Sequence, residues 1–396
     1  MSILTTPSKK TAMIPYGRQS ISAEDIQAVV DVMQSDFLTQ GPVVPRFEAA
    51  LAAYCGVAHA VAVNSATSAL HIACLALGVG SGDTVWTSPN TFVASANCAL
   101  YCGANVDFVD IDPVTYNMCP QALAVKLAEA EKTGMLPKVV IPVHFSGLPC
   151  DMAAIAELAK RYGFRVIEDA SHAIGARYRG TITGDCRYSD ITVFSFHPVK
   201  IITTAEGGLA TTASPELAQR LQSFRSHGIT RDAARMDRPD EGAWFYEQHD
   251  LGLNYRLTEM QAALGVSQFR HLDEWVARRH QIADAYDRDL AGLPLILPRR
   301  SSDSLSGLHL YVVQVAGANL SRKQVFDAMR AAGIGVNVHY IPVHTQPYYL
   351  ARGFKEGDFP NAEKYYKNAL SLPMYATLDA AQQATVVDAL KRALAA

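Results

Sequence analysis

Between His59 and Thr212, short apolar runs alternate with longer segments whose apolar residues recur at helical spacing, and this pattern admits few architectures. His59–Val63, Thr84–Thr87, Val106–Val109, Val139–Val143, Arg165–Ile167, Ile191–Phe194 and Leu209–Thr212 read as seven strands. Helices fit between them: Ala66–Leu77 stopped by Gly78, Phe92–Tyr101 stopped by Gly103, a segment around Gln121–Lys132, and Met152–Tyr162. Such alternation predicts an α/β fold: a mostly parallel sheet covered on both faces, with ligands at the carboxyl ends of its strands.

The flanking segments extend this plan. Ser22 opens a helix with Ile26, Val29, Val30 and Met33 at helical spacing, and a second helix spans about Pro45–Tyr54. The loop between them, Asp36-Phe37-Leu38-Thr39-Gln40-Gly41-Pro42, is either a plain connection or a pocket wall. From Thr230 to Asp250 charged residues surround Trp244-Phe245-Tyr246, which reads as a long excursion outside the core. Then come helices at Thr258–Asp273 and Glu274–Leu290, a linker at Pro298–Ser301, and a strand at Leu310–Val315. The remainder offers a helix at Arg322–Ala332, a strand at Val336–Val338, and helices at Asn361–Leu370 and Ala380–Leu394. The division expected is a large domain over residues 1–257 and a smaller C-terminal α/β domain over 258–396.

Composition removes several function classes. With 396 residues and 49% hydrophobic content, the chain can bury two sizeable cores. A net charge of −3 leaves no electrostatic footprint for nucleic acid. No apolar run reaches the roughly 18 residues of a membrane span, and Met1–Gly17 lacks the apolar centre of a signal peptide. The seven cysteines are odd in number and scattered through apolar segments, which predicts buried reduced thiols and no metal site. These features together predict a cytoplasmic protein.

Four segments fall where strands end. Asn64-Ser65-Ala66-Thr67-Ser68-Ala69 places small and hydroxyl residues at a helix N-terminus, which either caps that helix or receives a phosphate. Phe92 either packs in the core or stacks on a planar ring. Asp169 ends an apolar strand, with His172 three residues on. A buried carboxylate there either caps the next helix or stabilises a protonated pyridine nitrogen. Finally, Ser195-Phe196-His197-Pro198-Val199-Lys200 presents a lysine in a run, Ile191–Gly208, whose only other charged residue is Glu206. Poor hydration lowers a lysine's pKa and leaves an amine able to form Schiff bases. Together these are the parts of a pyridoxal-phosphate (PLP) site: amine, acid, ring stacker and phosphate cup.

The same segments, with Phe224-Arg225-Ser226-His227-Gly228 and Leu253-Asn254-Tyr255-Arg256-Leu257, resemble the nucleotide-sugar aminotransferases from about Ile14 to the C-terminus. The resemblance implies a PLP-dependent transferase of fold type I, as in the aspartate aminotransferases. Lys200 would be the Schiff-base amine and Asp169 the partner of the pyridine nitrogen. Phe92 would lie on the ring, His172 near its hydroxyl, and Ser65, Ala66, Thr67 and Ser195 around the phosphate. Asn254 would reach the phosphate bound by a neighbouring subunit, so the active unit would be a homodimer with shared sites. Tyr16, Asp36, Phe37, Leu38, Thr39, Asn337, Val338, His339 and Tyr340 would contact the sugar nucleotide. Tyr16, Leu38–Gly41, Lys200–Gly208 and Asn337–Tyr340 look most like the branch that aminates C4 of UDP-4-keto-6-deoxy-N-acetylhexosamines with L-glutamate, forming 2-oxoglutarate. Ile201 departs from that branch, where proline is expected. The sugar dehydratases of this fold replace the lysine with histidine, so Lys200 argues against them. An amino-acid aminotransferase needs an arginine for the α-carboxylate, and Arg352 is the candidate. A non-catalytic PLP-fold binding protein is the remaining alternative.

Overall fold

The computed structural model describes residues 13–316 and 320–395; most of the polar lead-in, residues 1–12, lies outside them. Seven strands form the central sheet in the order His59–Val63, Gly208–Thr212, Ile191–Ser195, Arg165–Asp169, Val139–Ile141, Thr84–Thr87, Asn105–Phe108. All pairs are parallel except those made by Gly208–Thr212, which runs antiparallel to both neighbours. Ile191–Ser195 and Gly208–Thr212 are buried along their whole length. That is why they lack the apolar/polar alternation of a strand with one wet face.

Helices cover the sheet, and their starts are chemically marked. Ser22, Thr258 and Ser321 each close a capping box, while Ser65, Asp151 and Ser214 cap with one side-chain bond. A second core surrounds a three-stranded sheet of Leu295–Ile296, Tyr311–Val315 and Ala369–Leu372. Helices Arg322–Ala331 and Ala380–Ala395 and the end of Leu272–Asp289 pack on it. No helix among the described residues is long and apolar enough to cross a membrane.

Three expectations about elements change. The helix expected to open at Phe92 begins at Ala94. The helix expected over Asn361–Leu370 ends at Asn368, and Ala369–Leu372 pairs with Tyr311–Val315 instead. Val336–Val338 forms no strand: Asn337 makes one bridge to Ser371, and its side chain accepts from the Val338 amide at 2.8 Å. The 230–250 excursion closes on a short hairpin, Ile229–Thr230 with Glu247–Gln248, and leaves Trp244 78% exposed.

Candidate active site

The strand His59–Val63 delivers the chain into Asn64, and Ser65 then starts the helix Ala66–Ala76. Ser65 Oγ accepts from the Ser68 amide at 3.1 Å, so the capping reading holds. Capping uses only one of the first free amides, and among the described residues those of Ala66 and Thr67 meet no acceptor. They are available to an anion. Gly208 lies directly behind them: a Cβ there would come within 2.4 Å of Ser65 C and 2.5 Å of Ala66 N. Ser195 is paired with Gly208 in the sheet, which carries its hydroxyl to the same end of the cavity.

Asp169 ends its strand 4% exposed. Its Oδ2 accepts from Ser95 Oγ at 2.6 Å, and its Oδ1 from the Ser171 amide at 3.1 Å. Because the Ser95 proton points at Asp169, the 2.8 Å contact with Thr91 Oγ1 is one in which Thr91 donates. The turn after Ser195 is pinned by buried Phe196, Ile201 and Ile202 and by the Lys200 amide bonding His197 O at 2.8 Å. Burial lowers the Lys200 pKa to about 8, with the Asp169 carboxylate pulling the other way.

His172 completes this side. Its Nδ1 accepts from the Ser146 amide at 3.2 Å, which puts the ring proton on Nε2, 3.0 Å from Tyr340 Oη. Tyr340 therefore accepts from His172 and keeps its own proton for the cavity. Burial, and then the nearby Lys200, holds the His172 pKa well below the ordinary range. Burial likewise keeps His309 far down and lowers His339 to about 3. The imidazoles are neutral polar walls.

One cavity of about 580 Å³ gathers Tyr16, Ser65, Ala66, Thr67, Phe92, Asp169, His172, Ser195, Lys200, Asn337, Val338, His339 and Tyr340. It also holds residues that the sequence reading missed: Thr91, Ser95, Ser171, Glu206 and His309. Ser95 and His309 each stand alone as polar residues within apolar segments, Ala94-Ser95-Ala96 and Leu308-His309-Leu310, which is the one signal that marked them. Asp36, Phe37, Leu38, Thr39 and Asn254 do not line the cavity of their own chain. The first four lie on an exposed loop, and Asn254 forms a bridge with Ser226. Arg352 is also elsewhere, donating to Tyr348 Oη at 2.7 Å, and among the described residues no arginine lines the cavity.

The donor set fits a phosphorylated pyridine aldehyde. Asp169 is buried, makes no salt bridge within 4.0 Å among the described residues, and so suits a positive group such as a pyridinium N–H. The orphaned Ala66 and Thr67 amides suit its phosphate, and the Lys200 amine suits its aldehyde.

Comparison with known proteins agrees. Residues 19–391 match the model of the DegT/DnrJ/EryC1/StrS aminotransferase family. The spore coat polysaccharide biosynthesis protein SpsC of Bacillus subtilis is 41% identical over 97% of each chain. The UDP-4-amino-4,6-dideoxy-N-acetyl-β-L-altrosamine transaminase of Campylobacter jejuni is 37% identical over 96% of each. Among solved structures, Helicobacter pylori PseC, an aminotransferase of pseudaminic acid biosynthesis, superposes with a TM-score of 0.88. It is 30% identical, covering 97% of this chain and 99% of its own. Streptococcus pneumoniae Spr1654, solved in PLP and PMP forms, gives TM-scores of 0.86 and 0.87 at 28% identity over 97% of this chain, with 99% and 98% of those chains covered.

Proposed function

The chain belongs to the DegT/DnrJ/EryC1/StrS aminotransferase family and is a PLP-dependent sugar aminotransferase; from that premise we propose that it moves the amino group of L-glutamate to C4 of a UDP-4-keto-6-deoxy-N-acetylhexosamine. The product would be the UDP-4-amino-4,6-dideoxy-N-acetyl-β-L-altrosamine that the Campylobacter relative's name describes, a step towards pseudaminic acid. The carrying observation is the joint placement of Lys200, Asp169 and the Ala66–Thr67 amides with Tyr16 and Asn337–Tyr340 around one cavity.

When bound, the cofactor supplies an electron sink that lets an amino group pass between two carbonyl carbons. The residues do the rest. Asp169, oriented by Ser95 and Ser171, holds the ring nitrogen's positive charge in a buried setting. The Ala66 and Thr67 amides and the Ser195 hydroxyl hold the phosphate. Phe92 would cover the ring, and His172 with Tyr340 would face its oxygen substituent. The Lys200 Nζ amine would take the proton from the α-carbon of glutamate, and in the second half-reaction it would deliver a proton to C4 of the sugar. A pKa lowered to about 8 leaves more of the amine free at neutral pH than an ordinary lysine would have. Tyr16 and Asn337–Tyr340 form the wall for the sugar nucleotide.

A second copy of the chain completes the site in this reading. Phe37, Leu38, Trp244 and Leu251 expose 53%, 48%, 78% and 88% of their surface, and a partner would cover them. Asn254 and Asp36–Thr39 would then serve the neighbour's cavity. The test is a panel of UDP-4-keto and UDP-3-keto sugars with L-glutamate, following 2-oxoglutarate release and the amino sugar by mass spectrometry. Turnover confined to the 4-keto-6-deoxy-N-acetyl sugars supports the proposal; turnover of only 3-keto sugars, or of no sugar, would sink it.

A further inference from the structure

Among the cavity residues that the sequence reading missed, His309 is firmly mounted and yet has no partner for its ring. It leads into the strand Tyr311–Val315 of the smaller core, and its ring lines the cavity. The mount is tight. A Cβ on Gly307 would lie 3.0 Å from Ile174 O and 3.3 Å from His172 O, so backbone meets backbone there. The Gly307 amide donates to Gly147 O at 2.9 Å, and Ser146 Oγ donates to Leu310 O at 2.7 Å. Buried Arg279 donates to the carbonyls of Leu308 and His309 at 3.0 and 3.2 Å. The imidazole lies 4.4 Å, centroid to centroid, from that of His172 and is 3% exposed.

No hydrogen bond reaches its nitrogens. Nδ1 is sealed without a partner, and among the described residues Nε2 bonds to nothing either. Burial, then His172 and Lys200, keeps the ring neutral, so it carries one N–H and one lone pair. A buried N–H without an acceptor is the rarer kind of orphan, which leaves the lone pair on the sealed Nδ1 and the proton on Nε2. Tyr340, bonded to His172, also keeps a hydroxyl proton for the cavity. Two neutral donors therefore stand beside His172.

We propose that His309 holds the α-carboxylate of the amino donor through its Nε2–H, with the Tyr340 hydroxyl as the second donor. An amino acid brings a carboxylate that some group must meet, and among the described residues no arginine lines the cavity. Lys200 serves the aldehyde, and the Ala66 and Thr67 amides with Ser195 serve the phosphate. PLP carries its aldehyde between the phosphate arm and the ring oxygen, so the oxygen side, with His172 and Tyr340, is left for the carboxylate. Neutral donors suit a cavity that takes two unlike substrates in turn. A buried arginine would keep an unpaired charge whenever the uncharged sugar ring replaced the amino acid. An imidazole N–H bonds a carboxylate or a sugar oxygen equally well. The inference rests on the proposed transamination, in which both substrates share one cavity, and not on which amino acid or sugar is used.

The test uses the PLP-loaded protein without sugar, following loss of its visible absorbance. The donor is taken as whichever of L-glutamate, L-glutamine and L-aspartate bleaches the wild type. A donor other than L-glutamate revises the proposed reaction, and the comparison proceeds with that amino acid. In His309→Phe the half-saturating donor concentration should rise roughly 10- to 100-fold, as for a lost hydrogen bond to a charged group. PLP affinity, read by fluorescence titration, should stay at the wild-type level. His309→Gln places an N–H near the position of Nε2 and should recover most of the loss. His309→Asn, whose N–H falls near Nδ1, should not. The decarboxylated amine of the same donor, 4-aminobutyrate for glutamate, has no α-carboxylate and should react alike in wild type and His309→Phe. An unchanged half-saturating concentration in His309→Phe, an equal loss with the decarboxylated amine, or a fall in PLP affinity that accounts for the loss would each overturn the proposal. Bleaching by none of the three amino acids would overturn it together with the proposed reaction.

Discussion

Ser95 Oγ donates to Asp169 Oδ2 at 2.6 Å, across 74 residues of sequence. Only one other donor, the Ser171 amide, reaches that carboxylate among the described residues. Hydrogen bonds to buried charges contribute about 1.5–3 kcal/mol. Ser95→Ala should therefore weaken PLP binding roughly 10- to 100-fold and lower kcat, while the fold survives. A fluorescence titration with PLP reads this directly, and wild-type affinity in the variant would reduce Ser95 to packing.

Lys200 sets a pH dependence. Burial depresses its pKa to about 8, so its free amine accumulates as pH rises through 8 and not through the 10.5 of an ordinary lysine. Capture of PLP by the apoprotein should speed up as pH rises from about 6.5 and level off above about 9. A stopped-flow absorbance series checks this, and a rate still climbing steeply above pH 10 would contradict the assignment. Lys200→Ala should form no reducible bond to PLP at any pH.

Shared sites can be tested by mixing subunits. Lys200→Ala and Asn254→Ala are each expected to be nearly inactive alone. If Asn254 serves the neighbour, a mixed dimer regains one intact site, and random 1:1 reassociation should restore about a quarter of wild-type activity. No recovery, with exchange verified by native mass spectrometry, would place Asn254 outside the neighbour's site.

Gly208 admits no side chain, since a Cβ would lie 2.4 Å from the Ser65 backbone, at the proposed phosphate site. Gly208→Ala must displace Ser65 and Ala66, at about 1–3 kcal/mol for overpacking. Thermal denaturation should show a Tm lower by a few degrees, with a proportionally larger loss of PLP affinity. A variant with unchanged PLP affinity would show that the cup tolerates the shift.

Much of this was legible because the sheet residues are buried by their own sequence pattern. Asp169 and Lys200 stand out as charges in apolar surroundings, and Asn64–Ala69 as a polar cluster between a strand and a helix. What was hidden depends on partners distant in sequence. Ala369-Leu370-Ser371-Leu372 continues the spacing of the preceding helix, and only Tyr311–Val315 draws it into a sheet. Ser95 shows only as a lone hydroxyl between Ala94 and Ala96, and its role is hidden until Asp169 is placed beside it. Asp36–Thr39 and Asn254 were singled out through resemblance, and their own chain gives them no place in the cavity.

The cavity has two walls of different origin. Lys200, Asp169, Ser195 and the Ala66–Thr67 amides sit at the ends of one rigid sheet, whereas Tyr16 and Asn337–Tyr340 come from segments outside it. In the proposed reading, reaction and recognition are thus written in separable parts of the gene. If the proposed roles hold, retargeting the enzyme to another sugar would mean rewriting Tyr16, Asn337, Val338 and His339, with the amine chemistry left intact. Tyr340 is the one shared letter, because its hydroxyl also bonds His172.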